Sequence, residues 1–194
     1  MVKIVLTGGP CAGKTSVINA LKEYYKSLII VVEEAATLIL GEGFPKPDKW
    51  TPEWQNKFQP LVNERQEQEE DKAYSRAIIS GCKIIACDRG RMDGAAYMER
   101  GKQEFLDVFS INEQEALSCY DVVVHLESLS TLNPALFEKL LSTNPHRYED
   151  LELAQKREFA LREAWENHHD RHFVSGSIEE NIAKVIEIID AYVR

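Results

Sequence analysis

The hydrophobic positions along this chain follow two alternating patterns. Short runs that are apolar at nearly every position alternate with longer segments in which apolar residues recur every three or four positions. The first pattern predicts strands buried on both faces, and the second predicts amphipathic helices. The predicted strands cover residues 3–6, 28–32, 83–87, 121–126 and 172–174. Because strands and helices alternate, we expect a three-layer α/β fold with a parallel sheet, in a single domain over residues 1–194.

The longest predicted helix starts at Thr51-Pro52-Glu53 and ends before Gly81. A threonine N-cap, a proline in the first turn and an early acid are typical of a helix start, and a glycine is typical of a helix end. Residues 64–72 in its middle are so polar that they fit a solvated turn as well as a helix. Further helices are predicted over residues 17–24, 33–40, 95–100, 112–119, 149–168 and 178–193.

Composition and charge narrow the class of protein. The 194 residues are 44% hydrophobic and 28% charged, which is typical of a globular chain with a sizeable core. Its 32 acidic and 23 basic residues give a net charge of −9, which argues against a broad basic surface for nucleic acid or anionic membranes. Neither a secretory leader nor a membrane-spanning run is recognisable. We expect a cytoplasmic protein without a membrane or nucleic-acid partner, and its oligomeric state stays open.

The loop after the first strand carries the strongest motif. It fits GxxxxGK[ST] without a mismatch and lies between a short strand and an amphipathic helix. In such a loop, backbone N–H groups converge on phosphate oxygens, Lys14 reaches the terminal phosphates, and Thr15 supplies a hydroxyl ligand to magnesium. The predicted nucleotide-binding residues are Gly8, Gly9, Pro10, Cys11, Ala12, Gly13, Lys14, Thr15 and Ser16. We also expect Lys14 to be catalytic.

Asp88 and Arg89 form a second candidate cluster at the end of the third predicted strand. The carboxyl ends of parallel strands line the ligand crevice of an open sheet, so Asp88 is expected beside the phosphate loop. There it is able to hold magnesium or to take a proton from an attacking hydroxyl. The alternative is a carboxylate that only caps a turn. Arg89 is a permanent cation suited to phosphate or to charge that develops during transfer.

These segments together resemble a known family, the small P-loop kinases loosely described as AAA-domain ATPases. The chain is similar to the ribosylnicotinamide kinase domain and, more distantly, to thymidylate and deoxynucleoside kinases, over residues 3 to about 190. The resemblance is carried by the phosphate loop, Glu34-Ala35-Ala36-Thr37, Phe58-Gln59 with Gln66 and Glu70-Asp71, Cys87-Asp88-Arg89-Gly90 with Asp93 and Ala96-Tyr97, Tyr120-Asp121-Val122-Val123, and Arg147-x-Glu149. It implies a P-loop NTPase fold with strand order 2-3-1-4-5 and ATP–Mg as phosphoryl donor.

The resemblance also implies an acceptor site between Glu34, the Asp88-Arg89 pair and the long helix. Glu33 stands where relatives often have proline, so either Glu33 or Glu34 is placed to face the crevice, and both also fit solvated acids of a first helical turn. Asp93 belongs to the same motif as Arg89. The candidate substrate-binding residues are Glu34, Arg65, Arg89 and Asp93.

Two further expectations concern one face of the long helix and a lid over the phosphates. Helical steps from Trp54 through Phe58 bring Arg65 onto a stripe that is either a pocket wall or a solvated face. Residues 128–165 are expected to form a lid segment, with Arg147 as a catalytic arginine over the phosphates. Arg157 and Arg162 are expected instead to pair with acids on the helix surface.

We therefore expect a phosphotransferase that moves the γ-phosphoryl of ATP, with Mg²⁺, to a nucleoside-like or nucleotide-like small molecule. The alternative is a nucleotide-dependent regulatory NTPase without a small-molecule acceptor. The chain has no Asn-Lys-x-Asp segment, which argues against a GTPase.

Overall fold

A computed structural model describes residues 1–46, 51–142 and 150–193. Its five strands form one parallel sheet in the order β2-β3-β1-β4-β5, as predicted. The strands are β1 (Val2–Thr7), β2 (Ile29–Val32), β3 (Ile84–Asp88), β4 (Val122–Leu126) and β5 (Arg171–Val174). Every residue of β4 is buried, as expected for a strand in which nearly every residue is apolar.

Nine α-helices lie in the described part of the chain. They are α1 (Lys14–Tyr25), α2 (Ala35–Gly41), α3 (Pro52–Ser80), α4 (Gly101–Phe109), α5 (Glu113–Ser118), α6 (Leu129–Leu132), α7 (Pro134–Ser142), α8 (Leu151–Ala164) and α9 (Ile178–Val193). Short 3₁₀ turns cover Lys26–Leu28 and Arg91–Tyr97. Helices α1 and α9 pack on one face of the sheet, and α3, α4, α5 and α8 pack on the other, so the three-layer prediction is confirmed.

The register of the sheet brings three strand ends together. Leu6 of the central strand β1 lies opposite Asp88 of β3, and Thr7 lies opposite His125 of β4. Because all the strands are parallel, the loop after β1 leaves the sheet between the carboxyl ends of β3 and β4. This arrangement places the glycine-rich loop beside Asp88 on one side and His125 on the other.

The long helix α3 continues through its polar middle, so the solvated-turn alternative for residues 64–72 is wrong. The helix starts as predicted, with the Thr51 hydroxyl accepting the Trp54 N–H at 3.2 Å. It continues because its polar side chains find partners inside the protein. Buried Glu70 accepts the Tyr120 hydroxyl at 2.7 Å and pairs with the Lys3 ammonium at 2.5 Å.

Among the helices that the structure describes, none combines the length and the apolar character needed to cross a membrane.

Candidate active site

The glycine-rich loop joins β1 to α1 through backbone conformations that favour glycine. Gly8 has φ of 135°, and a β-carbon there would lie 2.0 Å from the Leu126 carbonyl oxygen. Gly13 has φ of 82° and precedes the first residue of α1. No side chain caps the N-terminus of α1. Its first N–H groups are thus available to an anion, and the positive end of the helix dipole favours one.

Lys14 lies at the start of α1 and faces the strand ends. Its Nζ donates to the Gly8 carbonyl oxygen at 2.9 Å. Burial and the neighbouring Arg89 charge lower the pKa of Lys14, and the carboxylates of Glu34, Asp88 and Asp93 oppose this effect. The ammonium therefore lies among three acidic side chains. A bound phosphate would add negative charge beside it and stabilise its protonated form.

Asp88 lies half-buried at the end of β3, as the sequence predicts. Burial raises the pKa of Asp88, and the charges of Lys14 and Arg89 act against that rise. Its Oδ1 is buried and accepts no hydrogen bond from the described residues. A carboxylate that only capped a turn would accept a backbone N–H, so the geometry favours a ligand-binding role over the capping alternative.

The donor atoms near the loop fit a magnesium ion that also binds phosphate. Mg²⁺ prefers hard oxygen ligands, and it is commonly held by one or two protein side chains together with phosphate oxygens and waters. Asp88 offers a carboxylate with an unpartnered oxygen, and Thr15 is exposed on the first turn of α1. In the three described stretches, no group of three or more His, Cys, Asp or Glu side chains forms a metal site by itself.

Arg89 and Glu34 form a hydrogen-bonded ion pair beside the glycine-rich loop. Arg89 Nε donates to Glu34 Oε1 at 2.6 Å, and Thr37 Oγ1 donates to Glu34 Oε2 at 2.6 Å. Burial alone would raise the pKa of Glu34, but the charges of Arg89 and Lys14 and these hydrogen bonds lower it to about 2. Glu33 is exposed, so Glu34 is the acid that faces the site.

Asp93 is buried and supports Arg89 from behind. Its Oδ1 accepts from Arg89 Nη1 at 3.0 Å and from the Thr7 hydroxyl at 2.7 Å. Its Oδ2 accepts from the Gly90 N–H at 3.1 Å and from Trp165 Nε1 at 3.0 Å. Both oxygens are thus occupied by protein donors. This geometry fits a residue that orients Arg89, and it does not support the predicted direct contact with an acceptor.

A cavity of about 450 Å³ opens between the phosphate loop and α3. Its wall includes Pro10 and Cys11 at the loop end and the Glu34–Arg89 pair beside them. Farther along α3, Trp54 stacks on Phe58 with ring centroids 4.5 Å apart. The cavity thus has a charged end at the phosphate loop and an aromatic part on α3.

A chain of buried amides forms part of the same wall, and sequence reasoning missed its role. Gln55 Nε2 donates to Gln59 Oε1 at 2.8 Å, and Gln59 Nε2 donates to Asn63 Oδ1 at 2.9 Å. The three residues are spaced by four positions and therefore share one face of α3. The spacing is visible in the sequence. Because the three side chains are polar, however, the hydrophobic pattern did not identify that face of α3 as interior.

The structure does not bring Arg65 to the cavity. Its guanidinium forms two hydrogen bonds with Glu42, at 2.8 and 2.6 Å, and lies 3.8 Å from Glu69. The predicted stripe was misplaced because the side of α3 that faces the cavity is partly polar, so the apolar pattern did not identify it. The substrate-binding prediction for Arg65 has no support in this arrangement.

Two arginines of α8 occupy different environments. Arg157 is buried in the cavity wall, 4.7 Å from the centroid of the Tyr97 ring, so the prediction that it lies on the helix surface is wrong. Arg162 does pair with acids, at 2.9 Å from Glu158 and 2.8 Å from Glu127. Arg147, predicted as the catalytic lid arginine, lies outside the described residues, and its role stays a prediction.

Comparison with known proteins agrees with this geometry. Residues 3–181 match the sequence family described as AAA domain. No curated protein sequence matches the chain. Among solved structures, the thymidylate kinase of Ehrlichia chaffeensis is similar with a TM-score of 0.62 and 14% identity, covering 97% of this chain and 98% of that one. At this identity the likeness shows the fold alone. The chain is thus a nucleotide-binding P-loop protein with the fold of the P-loop kinases, and it belongs to the AAA domain family.

Proposed function

We propose that the protein transfers the γ-phosphoryl group of ATP to a nucleoside-like or nucleotide-like small molecule. The observation that carries this proposal is the position of the cavity of about 450 Å³, which begins at Pro10 and Cys11 of the phosphate loop. A compound bound there would have one end beside the phosphates. A regulatory NTPase would need no chamber of this kind next to its phosphate loop.

The donor side would use the loop and the first turn of α1. Backbone N–H groups of the loop and the Lys14 ammonium would bind the phosphates, and Thr15 and Asp88 would hold Mg²⁺. When bound, Mg²⁺ neutralises charge on the phosphate oxygens. Lys14 contributes because its charge lies next to the position where negative charge develops, in a site from which water is partly excluded.

The acceptor side would use the two carboxylates differently. With a pKa of about 2, Glu34 is ionised at neutral pH, so it suits accepting a hydrogen bond from an acceptor hydroxyl rather than taking its proton. Asp88 has a raised pKa and is the better proton acceptor of the two. In the transfer, the acceptor oxygen forms a bond to the γ-phosphorus, the bond from phosphorus to the bridging oxygen breaks, and the hydroxyl proton passes to Asp88 or to solvent.

The aromatic part of the cavity supports an acceptor with a planar ring. Trp54 and Phe58 offer ring faces for stacking, and Tyr97 also lies in the wall. The amides of Gln59 and Asn63 are polar groups of the kind that orient a ring in a mostly apolar pocket. A nucleoside-like compound combines such a ring with a hydroxyl that reaches the Glu34–Arg89 pair.

We also propose that residues 128–165 act as the lid over this site. Helix α8, which lies within that range, places Arg157 in the cavity wall. Arg147 completes this proposal as the arginine that approaches the transferring group. An ATP-dependent reaction of this kind needs a compartment that supplies ATP and Mg²⁺, and we propose the cytoplasm.

A screen of acceptors tests the proposed reaction. The protein is incubated with ATP and Mg²⁺ and a panel of nucleosides, nucleotides and vitamins, and both ADP release and product mass are measured. We expect slow hydrolysis without acceptor, faster ADP release with one nucleoside-like compound, and a product heavier by one phosphoryl group. If no compound is phosphorylated and a protein partner instead stimulates hydrolysis, the function is that of a regulatory NTPase.

A further inference from the structure

A buried carboxylate of α8 contacts the backbone of the phosphate loop. Glu158 is fully buried, and its Oε2 accepts the N–H of Gly9 at 2.8 Å. Glu158 lies 149 positions from Gly9 along the chain, so the contact joins two distant segments. Placing an acidic side chain in the interior is costly unless its oxygens accept several hydrogen bonds.

The other oxygen of Glu158 is held by two side chains. His125 Nε2 lies 2.8 Å from Oε1, and Arg162 Nε donates to the same oxygen at 2.9 Å. Burial raises the pKa of Glu158, but the hydrogen bonds from His125, Gly9 and Arg162 and the His125 charge outweigh it and lower the pKa. The group is therefore a carboxylate at neutral pH that accepts from three donors. None of these contacts is explained by the proposed roles of Lys14, Asp88 or Arg89.

The fit between α8 and the loop depends on the absence of a side chain at position 9. A β-carbon on Gly9 would lie 2.9 Å from Glu158 Oε2 and 3.1 Å from the β-carbon of Ser128. The Ser128 hydroxyl donates to the carbonyl oxygen of Pro10, the next residue of the loop. Two consecutive loop residues are thus fixed by contacts with side chains that lie outside the loop.

Glu158 also lies next to a residue of the acceptor cavity. Arg157, the preceding residue of α8, donates to the Ala96 carbonyl oxygen and faces the Tyr97 ring. Consecutive helical residues point about 100° apart, so one turn of α8 contacts both the loop and the cavity. Helix α8 therefore joins the donor and acceptor sides of the site.

We propose that Glu158 is a positioning residue that fixes the Gly9 backbone and holds the phosphate loop in its ATP-binding conformation, with α8 as the element that aligns the loop with the acceptor cavity. The first part needs only nucleotide binding, and the alignment with an acceptor rests on the proposed function.

The substitution Glu158→Gln tests the first part. The amide keeps the shape of the side chain, but if its oxygen keeps His125 and Arg162, its NH₂ group faces the Gly9 N–H and the loop contact is lost. We expect the Kd for ATP with Mg²⁺, measured by calorimetry where the variant is fully folded, to rise on the order of tenfold. Deuterium exchange at the Gly9 amide should accelerate as well. Glu163→Gln, an exposed change on the same helix, should alter neither quantity.

A folded Glu158→Gln protein whose Gly9 amide exchanges faster but which binds ATP like the wild type would overturn the proposal, even if its melting temperature fell, because that result describes a purely structural residue. Should Glu158→Gln not fold, or should its amide oxygen keep the Gly9 contact, Arg162→Gln removes one donor to the carboxylate from a partly exposed position. It should raise the Kd in the same direction by a smaller factor, and an unchanged Kd there would also overturn the proposal. ATP binding is measured without an acceptor. A wild-type protein that phosphorylates nothing would therefore refute the proposed kinase reaction, but the ATP affinities of the variants would still test the role of Glu158.

Discussion

The Arg89 guanidinium and the Glu34 carboxylate form an ion pair with 2.6 Å between Nε and Oε1. The two residues follow neighbouring parallel strands, since Val32 of β2 lies opposite Cys87 of β3. Arg89 has φ of 75°, a left-handed conformation that costs energy for a residue other than glycine. The sheet thus positions both residues of the pair, and the pair forms although the backbone of Arg89 is strained. Strained residues of this kind concentrate at functional sites, which is consistent with the role proposed for Arg89.

The first prediction concerns Glu34→Gln. Glutamine lacks the charge that holds Arg89 and binds an acceptor hydroxyl less strongly, so the KM for the acceptor should rise by about tenfold. Background ATP hydrolysis should change less than about twofold, because the proposed mechanism places Lys14 and Thr15, and not Glu34, on the donor side. Steady-state kinetics with and without acceptor measure both effects. The neighbouring Glu33→Gln serves as the control, and equal losses of both activities in Glu34→Gln would contradict a role on the acceptor side.

The second prediction concerns Lys14→Ala. Removing the ammonium should lower ATP turnover on the order of 10²- to 10³-fold, the usual loss when one group that stabilises transition-state charge is deleted. The melting temperature should stay within about 2 °C, since the lowered pKa of Lys14 indicates that its charge does not stabilise the fold where it lies. Circular dichroism and an ADP-release assay measure the two quantities. Lys22→Ala, an exposed change on the same helix, should retain full turnover.

The third prediction concerns Asp88→Asn and the pH dependence of the reaction. In the proposed mechanism Asp88 acts as a carboxylate, so activity should fall as the pH drops through its pKa, which burial raises above the ordinary value of 3.8. Asp88→Asn should lose most of its turnover, and the activity that remains should no longer show this fall at low pH. If Asp88 holds Mg²⁺, the variant should also need more Mg²⁺ for half-maximal rate, and if it only takes the proton, the Mg²⁺ dependence should not change. Full turnover in Asp88→Asn would return Asp88 to a capping role.

The sequence predicted the elements that have strong local signals. The five apolar runs give the strands, and the glycine-rich loop with Asp88 and Arg89 locates the charged end of the site. The resemblance to P-loop kinases supplied the strand order. Helices α4, α6 and α7 were missed for different reasons. Helix α6 has four residues, which are too few to show helical periodicity. Helices α4 and α7 have nine residues each and are amphipathic, so their apolar spacing was present in the sequence but was not identified.

The rest of the site could not be predicted because its side chains are polar and interior. A run containing Gln55, Gln59 and Glu70 has the same composition whether it faces water or partners inside the protein. The hydrophobic pattern therefore failed along α3, where it pointed to Arg65. Glu158 and His125 were missed for a related reason, since their contact depends on tertiary packing of α8 against the end of β4.

The fourth prediction compares alanine at two glycines with positive φ. At Gly8, alanine adds backbone strain and a β-carbon that would lie 2.0 Å from the Leu126 carbonyl oxygen, whereas at Gly81, with φ of 72°, it meets no atom within 4 Å. Gly8→Ala should therefore cost at least about 2 kcal/mol and lower the melting temperature by roughly 4–8 °C, against about 1 kcal/mol for Gly81→Ala. Differential scanning calorimetry measures this difference. Only Gly8→Ala should also weaken ATP binding, and equal costs at the two sites would show that the loop relaxes around the new side chain.

The last prediction concerns acid stability and uses the lowered pKa of Glu34. Folding lowers this pKa from 4.5 to about 2, so between these values the unfolded chain binds more protons than the folded one. The stability that Glu34 contributes is then fully present above pH 4.5 and is lost as the pH falls toward 2. Glu34→Gln has no titrating group at position 34. Below pH 4.5 its free energy of unfolding should therefore fall less steeply with decreasing pH than that of the wild type. The difference in slope corresponds to at most one proton, or about 1.4 kcal/mol per pH unit. Urea unfolding at several pH values between 3 and 6 measures the slope, with the exposed Glu33→Gln as the control that keeps it. Identical slopes in the wild type and Glu34→Gln would mean that Arg89 does not hold Glu34 ionised in the folded protein.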